Sequence, residues 1–298
     1  MRRTGQIVGI VNITRDSFSD GGRYLDPARA IEHALALAKA GADVVELGPA
    51  SSNPDASPVP ADEQIARLRP VLEALASSRA RASDPTRPIR ICVDATPSEV
   101  LRYALAAGVD WLNDVRGFPD ERLYDELASA RAELVVVHSL GGGDRAGREL
   151  ATPAAVLDSI ERFFAERLAA LVRAGVHEER LIVDPGMGFF LGRDPKASLA
   201  VLARIPELRA RFGRPLLVSV SRKSFLRTLT GSGLDAIGAA TLAAELFAVR
   251  AGADWVRTHD VRALRDGLCI ERALEAAADR HTTGAGRVDD ERRSPRGR

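Results

Sequence analysis

Short runs of β-forming residues alternate along this chain with longer stretches whose apolar positions recur every three or four residues. The first run, Ile7 to Val11, ends at Asn12 and leads into a polar, Gly-containing loop, Thr14 to Gly22. Asp26-Pro27 then reads as an N-cap with proline in the first helical turn. Ala30, Ile31, Ala34, Leu35 and Ala38 form the apolar stripe, and Gly41 ends the helix. The same unit recurs. Strands are predicted at Asp43 to Leu47, Ile89 to Val93, Trp111-Leu112, Leu134 to Val137, Leu181 to Val183, Leu216 to Val220 and Trp255 to Thr258. Helices are predicted at Asp62 to Ala76, Ser98 to Ala107, Glu121 to Ala130, Ala154 to Ala174, Lys196 to Arg211, Phe225 to Leu229, Ala236 to Arg250 and Val261 to Ala278.

Eight strand-helix units with nearly continuous apolar strands predict a parallel sheet covered by helices, and eight strands close a barrel. The expected fold is therefore a (β/α)8 TIM barrel, taken as one domain over residues 1–280. An open, doubly wound sheet is the alternative, but the first loop lacks the GxGxxG turn with which that fold binds a dinucleotide. Ser77 to Pro88, rich in Ser, Arg and Pro, reads as a surface excursion. Residues 281–298 carry five arginines and almost no apolar residue, and are expected to be a disordered basic tail.

Composition narrows the function. Lys plus Arg (42) nearly balances Asp plus Glu (41), so no global field recruits nucleic acid or an anionic membrane, and any anion site must be local. Cys92 and Cys269 have neither metal-ligand nor CxxC spacing, and are read as buried, inert thiols in a reducing compartment. The run before Asn12 is too short for a signal or membrane segment, so cytoplasmic residence is expected.

In a parallel barrel every strand's C-terminal end faces one mouth, where chemistry resides. The sequence puts Asn12, Glu46, Asp94, Asn113 with Asp114, His138, Asp184, Ser219 to Lys223, and Arg257 with His259 at those ends. Singly, a strand-end acid serves as readily as a helix cap. Together, Asp94, Asn113 and Asp184 suit a flat heterocycle bearing N–H donors, and Lys223 suits its carbonyl or ring nitrogen. Asn12, Arg257 and His259, on neighbouring strands one and eight, make an anion pocket of phosphate type. Ser221 to Ser224, opening a helix, suits a carboxylate. After the sixth strand, Phe189 and Phe190 either close a core cluster or wall a ligand pocket. No nucleophilic constellation emerges: there is no Cys-His pairing or GxSxG, and His33, His177 and His281 are expected at the surface. Displacement of a phosphate-type leaving group is the better reading.

Asn12 to Gly22, Val93-Asp94, Leu112-Asn113-Asp114, Asp184-Pro-Gly-Met-Gly-Phe189, Ser221-Arg-Lys-Ser224 and Arg257-Thr-His259, in order and one motif per strand, resemble the signature of dihydropteroate synthase. The resemblance covers about residues 6 to 275. It implies a transferase that joins 6-hydroxymethyl-7,8-dihydropterin pyrophosphate to p-aminobenzoate, releases pyrophosphate, uses Mg2+ and works as a homodimer. It also implies roles: Asp94, Asn113, Asp184 and Lys223 for the pterin; Asn12, Arg257 and His259 for pyrophosphate, with Asn12 toward the metal; Ser221 near the p-aminobenzoate carboxylate. Asp94, Asp184, Lys223 and Arg257 form the catalytic set. Asp16 to Gly22 matches a mobile loop that shields a cationic pterin intermediate from water.

Two segments depart from the usual family pattern. Where that pattern reads Asp-x-Gly-Gly-Glu-Ser-Thr-Arg-Pro-Gly, this chain has Glu46 to Asp55, with Ser52 and Asn53 replacing Thr and Arg; where it reads Gly-Phe-Gly-Lys, this chain has Gly188-Phe-Phe-Leu191. Gly48 to Ala56, Gly117 to Asp120, Asp184 to Gly192 and Leu217 to Leu226 resemble the sulfonamide-insensitive branch of the family. That implies a p-aminobenzoate side formed by Ser51, Ser52, Phe189, Phe190 and Ser221, with Phe190 filling the volume a sulfonamide needs. A non-catalytic pterin-binding paralogue and a pterin-domain methyltransferase are the alternatives; the intact Ser221 to Ser224 and the lack of a cobalamin module argue against the latter.

Overall fold

A computed structural model describes residues 5–14, 24–53, 55–80, 89–144, 146–147 and 150–284. The expected mobile loop Asp16 to Gly22, residues 81–88 of the expected excursion, and the tail from residue 285 lie outside the described residues.

The strands are β1 (Gln6–Asn12), β2 (Val44–Gly48), β3 (Arg90–Asp94), β4 (Trp111–Asp114), β5 (Glu133–Val137), β6 (Leu181–Asp184), β7 (Leu217–Val218) and β8 (Trp255–Thr258). All pair in parallel in the order β6-β5-β4-β3-β2-β1-β8-β7. A bridge between Val183 and Leu216, with Val183 N–H donating to Pro215 O at 3.0 Å, joins the two ends and closes the expected barrel. The helices are α1 (Pro27–Ala40), α2 (Ala61–Ala80), α3 (Ser98–Ala106), α4 (Tyr124–Ser129), α5 (Pro153–Arg173), α6 (Pro195–Ala203), α7 (Ile205–Phe212), α8 (Ser224–Thr230), α9 (Gly238–Ala251) and α10 (Val261–Gly284). None among the described residues is long and apolar enough to cross a membrane.

Local chemistry accounts for the elements. Asp26 caps α1 through its side chain, Pro27 opens the first turn, and Gly41 closes it in the left-handed region at φ 107. The buried stripe is Ala30, Ala34 and Leu37; Leu35, assigned to it from spacing, is exposed, since the packed face drifts by about one residue along the helix. The single helix expected over Lys196 to Arg211 is two, α6 and α7, because Pro206 cannot continue the α6 hydrogen-bond ladder. Helix α2 outruns its expected end at Ala76 and takes up Ser77 to Ala80. Its last turn is anchored by Arg79, which donates to Ile89 O and pairs with Asp110. Helix α10 likewise passes Ala278 and takes in residues 281–284 of the expected tail. Strand β7 is shorter than expected: Val220 O accepts from Lys223 N in a turn, which draws Ser219 and Val220 out of the ladder.

Strand residues alternate between two environments. Ile7, Val45, Val93, Leu112, Leu134, Val136, Val183 and Val256 pack outward beneath the helices. Val8, Val44, Cys92, Trp111, Val135, Val137, Ile182, Leu217 and Trp255 fill the barrel interior. Trp111 and Trp255 meet edge-to-face at 4.5 Å, and Arg90 covers them at 5.1 and 5.7 Å. Cys92 belongs to this layer, as expected; Cys269 is exposed on α10, against expectation, because its helical position faces away from the barrel.

The interior plug leads to a prediction. Trp255→Ala removes the largest side chain of β8 from a filled layer and is expected to cost ~3–5 kcal/mol in urea unfolding. A loss below ~1 kcal/mol would mean the layer is not close-packed there.

Candidate active site

The alternation that fills the interior also builds the site. Two residues beyond the apolar layer on each strand comes the next inward position: Ile10 and Asn12 on β1, Glu46 on β2, Asp94 on β3, Asn113 on β4, Asp184 on β6 and Arg257 on β8. All but Asn113 line one cavity at the C-terminal mouth, which has about 110 Å3 of water-accessible space. Asn113 lies fully buried directly behind it, donating from Nδ2 to Asp94 Oδ1 at 2.7 Å. Its Oδ1 has no hydrogen-bond partner, a buried acceptor awaiting a donor.

The same rule removes two residues from the ring expected at the mouth. Asp114 and His138 fall on outward parity. Asp114 accepts from the N–H groups of Arg116 (2.9 Å) and Phe118 (3.0 Å), and so shapes the turn after β4. Burial pushes its carboxyl up to about 7. His138 is wedged between Pro185 O (3.1 Å from Nδ1) and Ser159 Oγ (3.0 Å from Nε2), and burial lowers its pKa to about 4, so it is a neutral packing residue. Neither lines the cavity. Of the remaining histidines, His177 is exposed as expected, His33 is half-buried and stacked on Tyr24 at 4.3 Å, and the side chain of His281 lies outside the described residues.

Electrostatics at the mouth centre on Arg257. Its Nη2 lies 2.8 Å from Glu46 Oε2 and its Nη1 3.3 Å from Asp184 Oδ2, with all three side chains buried. Burial raises the Glu46 carboxyl to about 7 and also raises Asp94 and Asp184, while Arg257 opposes the rise in each. Lys223 is lowered to about 8, by burial first and then by repulsion from Arg257. The carboxyls of Glu46, Asp94 and Asp184 thus share a confined space with the Arg257 and Lys223 cations. Added N–H donors from a ligand would be favoured there, and an added carboxylate beside Asp94 and Asp184 would not.

The loops complete the walls. Asp184 Oδ1 accepts from Gly186 N at 2.9 Å, which turns the chain after β6. Gly186 has φ +74, and a Cβ there would lie 2.4 Å from His138 O; at Gly188, φ +64, a Cβ would press on Lys223. The turn Gly188–Leu191 then places Phe189, half-buried, and Phe190, buried, on the cavity wall. Phe190 packs on Val115 and Ala146, and the Lys223 ammonium lies 5.0 Å from its ring centroid. The aromatic pair therefore does both things left open by the sequence: it closes a small core cluster and walls the pocket. Ser51 and Ser52, on the loop after β2, also line the cavity; Ser52 O accepts from Ala146 N at 3.0 Å, and Arg67 clamps the loop base through Pro49 O at 2.7 Å. Ser221 and His259 stand together, with Ser221 Oγ 2.9 Å from His259 Nδ1, and both line the cavity.

Asp114 and His138 apart, the residues given site roles from sequence thus gather at this mouth, with Asn113 directly behind it. Several were missed. Glu46 was placed at a strand end but given no partner; strand parity was the available signal, since it lies two residues beyond Val44 on the inward side. Arg227 lines the cavity one helical turn after Lys223. Arg222, placed at the mouth within Ser219 to Lys223 but given no role of its own, lines it from a left-handed backbone, φ 57.

Arg257→Leu would leave Glu46 and Asp184 buried without their paired guanidinium, and is expected to destabilise the fold by ~3–5 kcal/mol in denaturant titration. A variant as stable as the parent would mean that the two acids are already neutral.

The pterin binding enzyme profile matches residues 8–259. The chain is 54% identical over 278 residues to dihydropteroate synthase type-2 of Escherichia coli, covering 93% of this chain and 99% of that one. It is 48% identical over 269 residues to the type-3 synthase of Escherichia coli, covering 90% and 99%. Among solved structures, the Yersinia pestis dihydropteroate synthase in a sulfonamide drug complex superposes with TM-score 0.81 at 29% identity, covering 92% of this chain and 95% of that one. The Xanthomonas albilineans synthase with 4-aminobenzoic acid gives 0.79 at 35%, covering 91% and 93%. The chain belongs to the pterin-binding enzymes and, within them, to the dihydropteroate synthases.

Proposed function

We propose that the barrel mouth carries out the dihydropteroate synthase reaction and does so with sulfonamides excluded. The amine of p-aminobenzoate forms a bond to the methylene carbon of 6-hydroxymethyl-7,8-dihydropterin pyrophosphate, the carbon–oxygen bond to pyrophosphate breaks, and the amine loses a proton. The observation that carries this reading is the convergence of Asp94, Asn113 and Asp184 with Lys223 and Arg257 on one confined cavity. Its acceptors, including the unpartnered Asn113 Oδ1, match the N–H edge of a pterin. Lys223, with a pKa near 8, is largely cationic at neutral pH and suits the pterin carbonyl or ring nitrogen.

Arg257 and His259 would bind the departing pyrophosphate; Arg257 Nε still has no hydrogen-bond partner. Ser221 would receive the p-aminobenzoate carboxylate, with Ser51, Ser52, Phe189 and Phe190 around the ring. Mg2+ fits the donor chemistry: it takes oxygen ligands and keeps several waters, so the Asn12 amide oxygen with substrate phosphates suffices. Among the described residues no group of three His, Cys, Asp or Glu is arranged for a metal, so the phosphates would supply most of the ligand charge. The bound ion would draw charge off the leaving group.

Sulfonamide exclusion rests on Phe190. Its ring is held by Val115, Ala146 and the Lys223 ammonium, so it cannot yield space cheaply. A homodimer is supported by Phe247, Ile270 and Leu274, large apolar side chains left exposed on α9 and α10. Two free cysteines suit the cytoplasm.

Pyrophosphate release from both substrates is the test, with and without sulfamethoxazole. Turnover that persists at inhibitor levels silencing a sensitive synthase is expected. Phe190→Ala should restore inhibition by roughly a hundredfold, the equivalent of ~2–3 kcal/mol of steric exclusion. Full inhibition of the parent would sink the exclusion, and binding of the pterin without turnover would favour a non-catalytic binding protein.

A further inference from the structure

Charge is distributed unevenly around the cavity. The acids that line it, Glu46, Asp94 and Asp184, share it with Arg257, which pairs with two of them, and with Lys223. Two further cations line it, Arg222 and Arg227, and neither stands in an ion pair among the described residues. Both follow β7. Arg222 has its backbone N–H held by Thr241 Oγ1 at 3.3 Å, and none of its side-chain nitrogens is a buried orphan. Arg227 differs: its Nε is buried and has no hydrogen-bond partner among the described residues.

Helix α8 fixes where Arg227 stands. Phe225 and Leu226 are buried in the core, and Gly231, at φ 68, closes the helix by donating its N–H to Arg227 O at 2.9 Å. Arg227 is thereby left on the face it shares with Lys223, four residues back, and Ser224, three back, all three lining the cavity. Lys223 is already engaged, its ammonium 5.0 Å from the Phe190 ring centroid.

We propose that Arg227 determines specificity for the second substrate: its guanidinium receives the carboxylate of p-aminobenzoate, so that the site selects an anion there over a neutral group of the same shape. The inference rests on the proposed function and deepens it. A carboxylate is disfavoured beside Asp94 and Asp184, and favoured beside a cation that has no acid of its own. The Ser221 hydroxyl has a single proton to offer, and its oxygen already accepts from His259 N at 3.2 Å and lies 2.9 Å from His259 Nδ1. One contested proton does not satisfy two carboxylate oxygens; a guanidinium fork does. Phe189 and Phe190, on the same cavity wall, supply flat apolar surface for the ring of the acid. Charge then discriminates at the end of the molecule where Phe190 discriminates by volume.

The test compares p-aminobenzoate with p-aminobenzamide, its neutral counterpart. The parent is expected to prefer the acid by at least about thirtyfold in kcat/KM, and Arg227→Gln by less than about threefold. Arg227→Gln should raise the KM for p-aminobenzoate about thirtyfold and hold that for pterin pyrophosphate within about threefold. Arg227→Lys, which keeps the charge without the fork, should fall between the two, and it serves if the Gln variant does not fold. A parent that accepts acid and amide equally overturns the proposal, as does an unchanged preference in Arg227→Gln or its loss in Arg222→Gln alone. Calorimetric binding of p-aminobenzoate, with pterin and pyrophosphate present, separates this inference from the reaction. Binding that weakens about thirtyfold in Arg227→Gln without turnover in the parent would refute the synthase reading and leave the Arg227 assignment standing. A parent that neither binds nor turns over p-aminobenzoate overturns both.

Discussion

The buried Arg257 guanidinium is the interaction on which the rest of the mouth depends. It joins Glu46 on β2 to Asp184 on β6 from its own place on β8, so one side chain ties strands from three parts of the barrel across the interior. Such a pair adds little net stability over a well-packed apolar substitute, because desolvation offsets the attraction. What it supplies is a definite arrangement of charge. The acids hold the cation where an anion can meet it, and the cation keeps the acids from both becoming neutral. The apolar layer below, sealed by Trp111 and Trp255, excludes water from that side and strengthens each of these interactions.

Above the ladder the site is held by a few contacts that span loops. Gly186 and Gly188 let the β6 loop lie close to His138 O and to Lys223, which brings Phe190 under the Lys223 ammonium. Arg67 on α2 fastens the base of the β2 loop, and α9 fastens the turn after β7. Helices α2 and α9 thus act on the mouth through contacts with its loop backbones rather than by entering it. This is how a barrel keeps a rigid scaffold and varies its chemistry in the loops.

Much of the fold was legible because it rests on local or periodic signals. The caps at Asp26 and Gly41, the strand runs and their eightfold recurrence are local chemistry. Order along the chain then assigned Asp94, Asn113, Asp184, Lys223 and Arg257 to one mouth. Less legible were features that depend on which way a side chain turns. His138 and Asp114 sit at strand ends like their neighbours, yet parity sends them outward, and the two-residue step between Leu35 and Leu37 decides which reaches the core.

By itself, then, the sequence determined the architecture, the family and most of the residues at the barrel mouth, since apolar periodicity, capping residues and ordered motifs are written along the chain. Only the tertiary structure decided the pairings: Glu46 with Arg257, Phe190 with Lys223, Ser221 with His259. Each joins residues from elements distant in sequence, and each depends on burial. Burial makes a charge or a hydroxyl need a partner, and it is created only when the whole barrel closes.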